Sequence, residues 1–310
     1  MKLLVQSLKT PAENLAFEEW LFRHFDDEVL RLWVNPSSVV VGKHQNALSE
    51  SNFWYCREQG IPIVRRLSGG GTVYHDVGNV NFSFFRKQLP DRMIDYDRSL
   101  VLVQKALQHL GYPVTMSERH DLFLNEEKVS GNAQHIRNKR ILHHGTILYD
   151  ADRNALSKSI KRDNGVFEDK GVRSVRSPIT NLRAYKDLGT TSQFLLKLTH
   201  EFEQLGFEIM APLSPDLAEL EAYINDKYSN DDWNFGLSPK YAYTNKIRDW
   251  HVSLEVEKGG IIKAVSILKD GSEQAVIEKA LNGIKHIYDS VSEALLEIDR
   301  ENEDLIRCLF

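Results

Sequence analysis

Residues 65–76 read Arg-Arg-Leu-Ser-Gly-Gly-Gly-Thr-Val-Tyr-His-Asp, and Val80-Asn81-Phe82-Ser83-Phe84 follows almost at once. The apolar-polar alternation of the second run predicts a half-buried strand. Residues 61–64, in front, form another apolar strand-like run. Three consecutive glycines are thereby pinned between two strands, a placement typical of sites rather than of linkers. Glycine permits positive φ and brings bare amide N–H groups toward an anion, while arginine supplies a planar multi-donor fork suited to phosphate oxygens. The same residues also suit a glycine-rich hairpin with a solvated basic flank. Neither G-x-x-x-x-G-K-[ST] nor G-x-G-x-x-G is present, so a P-loop and a dinucleotide fingerprint are excluded.

The surrounding pattern is that of a mixed fold. Thr10-Pro11-Ala12-Glu13 predicts a helix start with a capping box, and apolar residues at helical spacing continue it through Phe25. Strands are expected at 29–34, 39–41, 61–64, 122–124, 128–133 and 141–149. Helices are expected over 97–110, closed by Gly111, and from Thr190 toward Leu205. Irregular interleaving argues for α+β rather than a doubly wound sheet. Trp250 to Val256 and Ile261 to Leu268, joined by Glu257-Lys258-Gly259-Gly260, predict a hairpin in a second unit that begins near Lys246. The polar stretch 229–239 leads into it.

Composition narrows the partners more than the fold. With 39 Lys+Arg against 44 Asp+Glu the net charge is −5, so no nucleic-acid footprint or polybasic membrane patch dominates. Cys56 and Cys308 are too few for a disulfide framework and fit a cytoplasmic setting. Only three apolar residues precede Gln6, so no signal peptide or membrane span is expected.

The run 65–84 resembles the signature of the lipoate-protein ligase family, relatives of biotin ligases and octanoyltransferases. Lys128-Val129-Ser130-Gly131-Asn132-Ala133-Gln134, with His143-His144-Gly145-Thr146-Ile147-Leu148, extends the resemblance, as does Lys170-Gly171-Val172-Arg173-Ser174-Val175-Arg176-Ser177 closing on Thr180-Asn181-Leu182. It is dense from 14 to 182, with Trp233-Asn234-Phe235-Gly236 and Glu257-Lys258-Gly259 as later echoes. The resemblance implies a biotin/lipoate ligase-like α+β catalytic domain, with mixed sheets and flanking helices, over 1–245 and a small α+β accessory domain over 246–310. It also implies lipoate activation by ATP with Mg2+, then transfer to a lysine of lipoyl domains in 2-oxoacid dehydrogenase E2 subunits or the glycine-cleavage H protein.

Joining an acid to an amine needs the acid activated first, and such a site must supply positioning and positive charge near the phosphorus rather than a protein nucleophile. Arg66, the Gly69-Gly70-Gly71 amides and Lys128 are the right chemical types. Taken alone, Lys128 could equally be a solvated strand lysine beside Glu126 and Glu127. The resemblance implies that it bridges the acyl carboxylate and the α-phosphate. By the same resemblance, Arg66, Gly69 to Tyr74, Asp121 and Lys170 serve ATP or the adenylate, with Asn79 as a side-chain donor unless it is only a turn residue. Trp33, Gly42, Ser68, Gly70, Lys128, Gly131 and His144 hold lipoate, although Trp33 could simply be core. Lys158, Lys161, Arg162, Lys170, Arg173 and Arg176, around Asp163-Asn164-Gly165, resemble a mobile adenylate-binding loop that orders over the ligand. One departure stands out: Arg119-His120-Asp121 replaces the family's usual Arg-Asn-Asp.

Other chemistries fit less well. Adjacent His143 and His144 on a strand face opposite ways and cannot share one metal ion; no ligand set for a metal follows from the sequence. No Ser/His/Asp order points to a hydrolase. A thiol-based octanoyl or lipoyl transferase needs a nucleophilic cysteine, and neither cysteine lies within the shared blocks; a lysine-centred amidotransferase of the same fold, acting without ATP, is a further alternative. The basic loop of biotin ligases is absent. A non-catalytic lipoyl or nucleotide carrier would have no need of an intact Lys128, Arg66 and glycine loop.

Overall fold

The computed structural model describes residues 1–89, 95–160, 165–175, 177–296, 298 and 303–310. Lys161, Arg162, Asp163, Asn164 and Arg176 of the basic loop lie outside the described residues. A six-stranded mixed sheet runs in the order Asn132–Arg137, Arg140–Leu148, Asn79–Lys87, Val29–Val34, Lys2–Val5, Glu208–Ile209. Its Lys2–Val5 strand pairs in parallel on both sides, and the remaining pairs are antiparallel. Val80, Phe82 and Phe84 pack against Leu100, Val103, Leu107, Phe194 and Leu198 of the helices Asp97–His109 and Thr191–Gln204. Asn79, Asn81 and Ser83 therefore face the other side, as a period of two requires. That side is covered by the helix Pro11–His24, whose capping box is formed as expected.

Two small sheets carry the loops that matter. In the first, Ser38–Val41 pairs in parallel with Ile63–Arg65 and antiparallel with Val73–His75. Residues 66–72, including the three glycines, thus cross from one side of a central strand to the other and are fixed at both ends. In the second, Leu122–Leu124 pairs with Glu127–Ser130 through a tight turn at Asn125 and Glu126, both at positive φ. Positive φ at both central residues is the geometry of a two-residue hairpin matched to strand twist. It sets Lys128 two residues past the turn.

The C-terminal sheet has five strands, Val166–Asp169, Tyr241–Ile247, Trp250–Val256, Ile262–Lys269 and Ser272–Glu273 in spatial order. The division expected between residues 245 and 246 cuts through its second strand, and its first strand comes from mid-chain. Tyr241 and Tyr243 are buried at period two, so the strand begins ahead of Lys246, where the second unit was expected to start. The sheet also shares one hydrophobic core with the three-stranded sheet of the glycine loop: Tyr243, Trp250 and Leu254 join Val39, Phe53, Cys56 and Ile63, and Phe310 stacks on Phe53 at 4.9 Å. Among the described residues no helix is long and apolar enough to cross a membrane.

Candidate active site

A cleft of about 750 Å³ opens between the glycine loop, the Lys128 hairpin and residues 172–175 and 177. Trp33, Arg66, Gly70, Gly71, Thr72, Val73, Asp121, Lys128, Gly131 and His144 all line it. On one wall, Lys128 Nζ lies 2.9 Å from Asp121 Oδ1, with both side chains partly open to solvent. The backbone of Lys128 is gripped by the next sequence block: its N–H donates to Pro178 O, and Thr180 N–H donates to its carbonyl. Gly131 leaves room for the lysine, since a Cβ there would come within 3.0 Å of Lys128 Cε.

The opposite wall is built around Arg66. Its Nε donates to Ser68 Oγ (2.9 Å), Nη1 to Val40 O (3.0 Å), and Nη2 to Gly69 O (2.6 Å) and Gly71 O (2.7 Å). Burial, partly offset by Glu18, pulls this guanidinium down to about 10. In this state Arg66 shapes the loop from behind, and the loop presents its backbone to the cleft. Gly70 takes φ +85°, and Gly42 lies so close that a Cβ on it would sit 2.1 Å from Gly70 O.

At the end lined by Trp33 and His144 the floor is polar. Trp33 Nε1 donates to Ser83 Oγ (2.9 Å), and Ser83 donates to Glu18 Oε1 (2.6 Å). Glu18 meets His144 Nδ1 at 3.0 Å, and His144 Nε2 lies 2.5 Å from Ser68 Oγ. Burial works to raise the Glu18 pKa, but His144, Ser83 and Arg31 outweigh it and hold the carboxyl below its ordinary range. Arg31, wholly buried, stacks between Phe17 and Trp33 at 4.7 and 4.6 Å. His143, on the other face of its strand, packs on Phe82, Phe84 and Tyr96, and burial pushes it to about 3.

A strap closes the glycine side. Gln45 accepts from Gly42 N–H and Thr72 Oγ1 and donates to Val172 O and Ser174 Oγ. Ser174 Oγ accepts from Thr72 N–H at 2.9 Å and donates to Glu50.

The remaining expected residues fall elsewhere. Tyr74 is buried in the core, Asn79 lies behind the wall donating to Asn81 Oδ1, and Asn81 takes the place at the cleft. Ser68, Gly42 and Gly69 act one layer back, through His144, Gly70 and Arg66. Lys170 sits in a separate outer groove with Lys240 and Glu257. His120 takes φ +60°, a left-handed conformation that asparagine and histidine both tolerate. Its ring stacks on Tyr96 at 4.9 Å and approaches Asp97 instead of lining the cleft. Glu18, Gln45 and Ser174 were not foreseen as members. Glu18, beside Glu19 between Phe17 and Trp20, offered one signal: two acids in an otherwise apolar helical run.

Cys56 and Cys308 are buried, and burial pushes their thiols up to about 12 and about 11. Neither lines the cleft. Among the described residues no group of three or more His, Cys, Asp or Glu side chains is arranged to hold a metal ion.

This geometry is matched by known proteins. The lipoyl protein ligase A/B catalytic domain family matches residues 10–203. Lipoate-protein ligase LplJ of Bacillus subtilis is 34% identical over 93% of this chain and 96% of its own length. A crystal structure of lipoate-protein ligase A bound with ATP superposes with TM-score 0.62 at 25% identity, covering 76% of this chain and 98% of that one. A structure from the archaeal lipoylation system of Thermoplasma acidophilum, described as a bi-partite lipoate protein ligase and its E2 lipoyl domain, superposes with TM-score 0.63 at 26% identity, covering 76% and 96%.

Proposed function

The chain belongs to the lipoyl protein ligase A/B catalytic domain family, and from that premise we propose how its cleft carries out ATP-dependent lipoate-protein ligation. The lipoate carboxylate attacks the α-phosphorus of ATP, pyrophosphate leaves, and lipoyl-AMP forms. An acceptor lysine amine then attacks the acyl carbon and AMP departs with the bonding pair. The observation that carries this reading is the meeting of Lys128 and the Arg66-shaped glycine loop across one cleft whose far end holds Trp33 and His144.

Lys128 Nζ holds the carboxylate and an α-phosphate oxygen together, drawing attacker and electrophile into one geometry. Gly71 offers a backbone N–H group, Thr72 N–H becomes available once ligand displaces Ser174 Oγ, and Arg66 acts through the loop it shapes. Asp121 orients the ammonium until ligand replaces it. Mg2+ usually takes one or two carboxylates plus phosphate oxygens, which Asp121 and Glu118 at the cleft wall fit; when bound it neutralises the departing pyrophosphate. Acceptors are lipoyl domains of E2 subunits and the H protein, in the cytoplasm. Lys170 swings onto the adenylate, and the C-terminal sheet turns to admit the acceptor.

Lipoate-dependent exchange of labelled pyrophosphate into ATP, without acceptor protein, tests the first half-reaction. Exchange is expected. Its absence, with transfer from supplied lipoyl-AMP intact, would leave a transferase.

A further inference from the structure

The Trp233-Asn234-Phe235-Gly236 motif lies outside the cleft, yet it meets the side chain and backbone of Arg65, the neighbour of Arg66. Arg65 is fully buried. Its Nε donates to Trp233 O (2.9 Å) and Asn234 O (3.0 Å), and Nη2 to Asn234 O (2.7 Å) and Ser238 Oγ (3.3 Å). The motif answers in kind: Trp233 Nε1 donates to Arg65 O (2.8 Å), and Asn234 Oδ1 accepts from Arg65 N–H (2.9 Å). Nη1 turns the other way, to Gly42 O (2.9 Å), Lys43 O (3.2 Å) and Gln45 O (2.8 Å).

These are two different parts of the machine. Residues 233–238 lead directly into Tyr241, where the chain enters the C-terminal sheet. Residues 42–45 carry Gly42, packed on Gly70 O, and Gln45, bonded to Thr72 and to the strap at Val172 and Ser174. One guanidinium therefore fixes the entry to the C-terminal sheet and the turn that registers the nucleotide loop. All seven of its side-chain bonds just given end on uncharged oxygens, six of them backbone carbonyls, so its work is geometric. A planar fork can satisfy several carbonyls at set angles; a lysine ammonium cannot.

We propose that Arg65 and the Trp233-Asn234 pair form a positioning joint that couples the seating of the C-terminal sheet to the geometry of the Gly69–Thr72 nucleotide loop. When the sheet is seated, the joint holds Gly42 and Gln45 in register and the loop is competent for ATP. When the sheet leaves, Arg65 loses its partners at 233–238, the guanidinium serving the carbonyls of 42–45 is no longer held at its set angle, and the strap loosens with it. Coupling of this kind is a free-energy link between sites that two residues can be asked to reveal.

The test uses Arg65→Lys and Trp233→Phe, the latter removing the indole N–H while keeping an aromatic ring, though a smaller one, at that place. Both lie outside the cleft, so a purely structural role would lower Tm and leave the KM for ATP in pyrophosphate exchange alone. The joint instead raises that KM by roughly 5-fold or more in each variant, the lower end of ordinary coupling, with kcat less affected. It also makes the double variant no worse than Arg65→Lys alone, since both break one device. Should Arg65→Lys fail to fold, Trp233→Phe decides. A KM within about twofold of the unmodified protein, the scatter of independent sites, overturns the proposal whatever Tm does. The inference rests on assigning the glycine loop to ATP; if the unmodified protein shows no exchange, that assignment falls and the joint with it, whereas normal exchange with an unmoved KM sinks the joint alone.

Discussion

The two walls of the cleft are made to different rules. Arg66 is buried and its guanidinium is bonded to the hydroxyl and carbonyls of its own loop and the adjacent strand. Lys128, about 24% exposed, meets Asp121 from the end of a short hairpin. The first wall is preorganised: its cation has been used in shaping a surface of backbone amides before any ligand arrives. The second keeps a cation on a flexible stem, lightly held, free to exchange one carboxylate for the charged oxygens of the reactants. Positive charge in the same cleft therefore does two separable jobs, and substitution should separate them.

Lys128→Ala sharpens the contrast most. It removes a cation from the adenylation transition state, and by analogy with loss of one oxyanion donor it should cost roughly 3–4 kcal/mol, about two to three decades in the rate of pyrophosphate exchange. The partly exposed pair with Asp121 contributes only about 0–1 kcal/mol to folding, so Tm should hardly move. A large fall in Tm with exchange retained would reverse the roles of the two walls.

Arg66→Lys asks the reverse question. An ammonium cannot serve Ser68 Oγ, Val40 O, Gly69 O and Gly71 O together, and each buried carbonyl left unsatisfied costs about 1–3 kcal/mol. Stability in urea should fall by roughly 2–4 kcal/mol, with exchange lost in step as the loop loses its shape. If Tm held while exchange vanished, Arg66 would be a direct phosphate ligand and not a scaffold.

Residue types and order announced much of this. The strand 79–87 and the capped helix at Thr10 followed from local periodicity and capping chemistry, which act over a few residues. Lys128 and the glycine loop came from blocks that carry their own signature. The polar floor could not be read that way: Glu18, Ser83, His144 and Ser68 come from four distant segments and are joined only by tertiary packing. Asn79 and Asn81 show the finer limit. Both lie on one face of one strand, and only the neighbouring strands decide that Asn81 reaches the cleft while Asn79 backs it. The entry of Val166–Asp169 into the C-terminal sheet is likewise a long-range pairing, invisible to a four-residue run.

Buried imidazoles give the fold a pH dependence. Burial lowers His75 and His143 to about 3 and His286 to about 4. An unfolded histidine titrates near 6.5. Below that value the unfolded chain binds protons that the folded one refuses, so stability falls as pH drops from about 6.5 toward the folded values. Each imidazole contributes about 1.4 kcal/mol per pH unit in that window. The shift on Glu18 has the opposite chemistry and the same direction: its carboxyl is held low, so its contribution is present above about 4.5 and is lost as pH falls further. Urea unfolding at pH 7.5, 6.5 and 5.5 should show a flat upper interval and a steep lower one. Absence of the steep loss between pH 6.5 and 5.5 would mean these histidines take up protons in the fold.

The smallest expected effect lies at His120, which stands where the resemblance expects asparagine in Arg-Asn-Asp. His120 sits at the hinge of the Lys128 wall, in the left-handed region at φ +60°, where asparagine is at home. Its side chain turns away from the cleft, stacking on Tyr96 and approaching Asp97 at 3.4 Å, while its carbonyl accepts from Asn132 Nδ2. His120→Asn keeps the backbone conformation and that carbonyl, and gives up a half-exposed ring contact of roughly 0.5–1 kcal/mol. The KM for ATP should stay within about twofold, because sites with no shared partner move each other by only a few tenths of a kcal/mol. A tenfold fall in that KM, close to 1.4 kcal/mol, would show that asparagine reaches the nucleotide where histidine cannot. The lightly held wall would then owe part of its character to this single substitution.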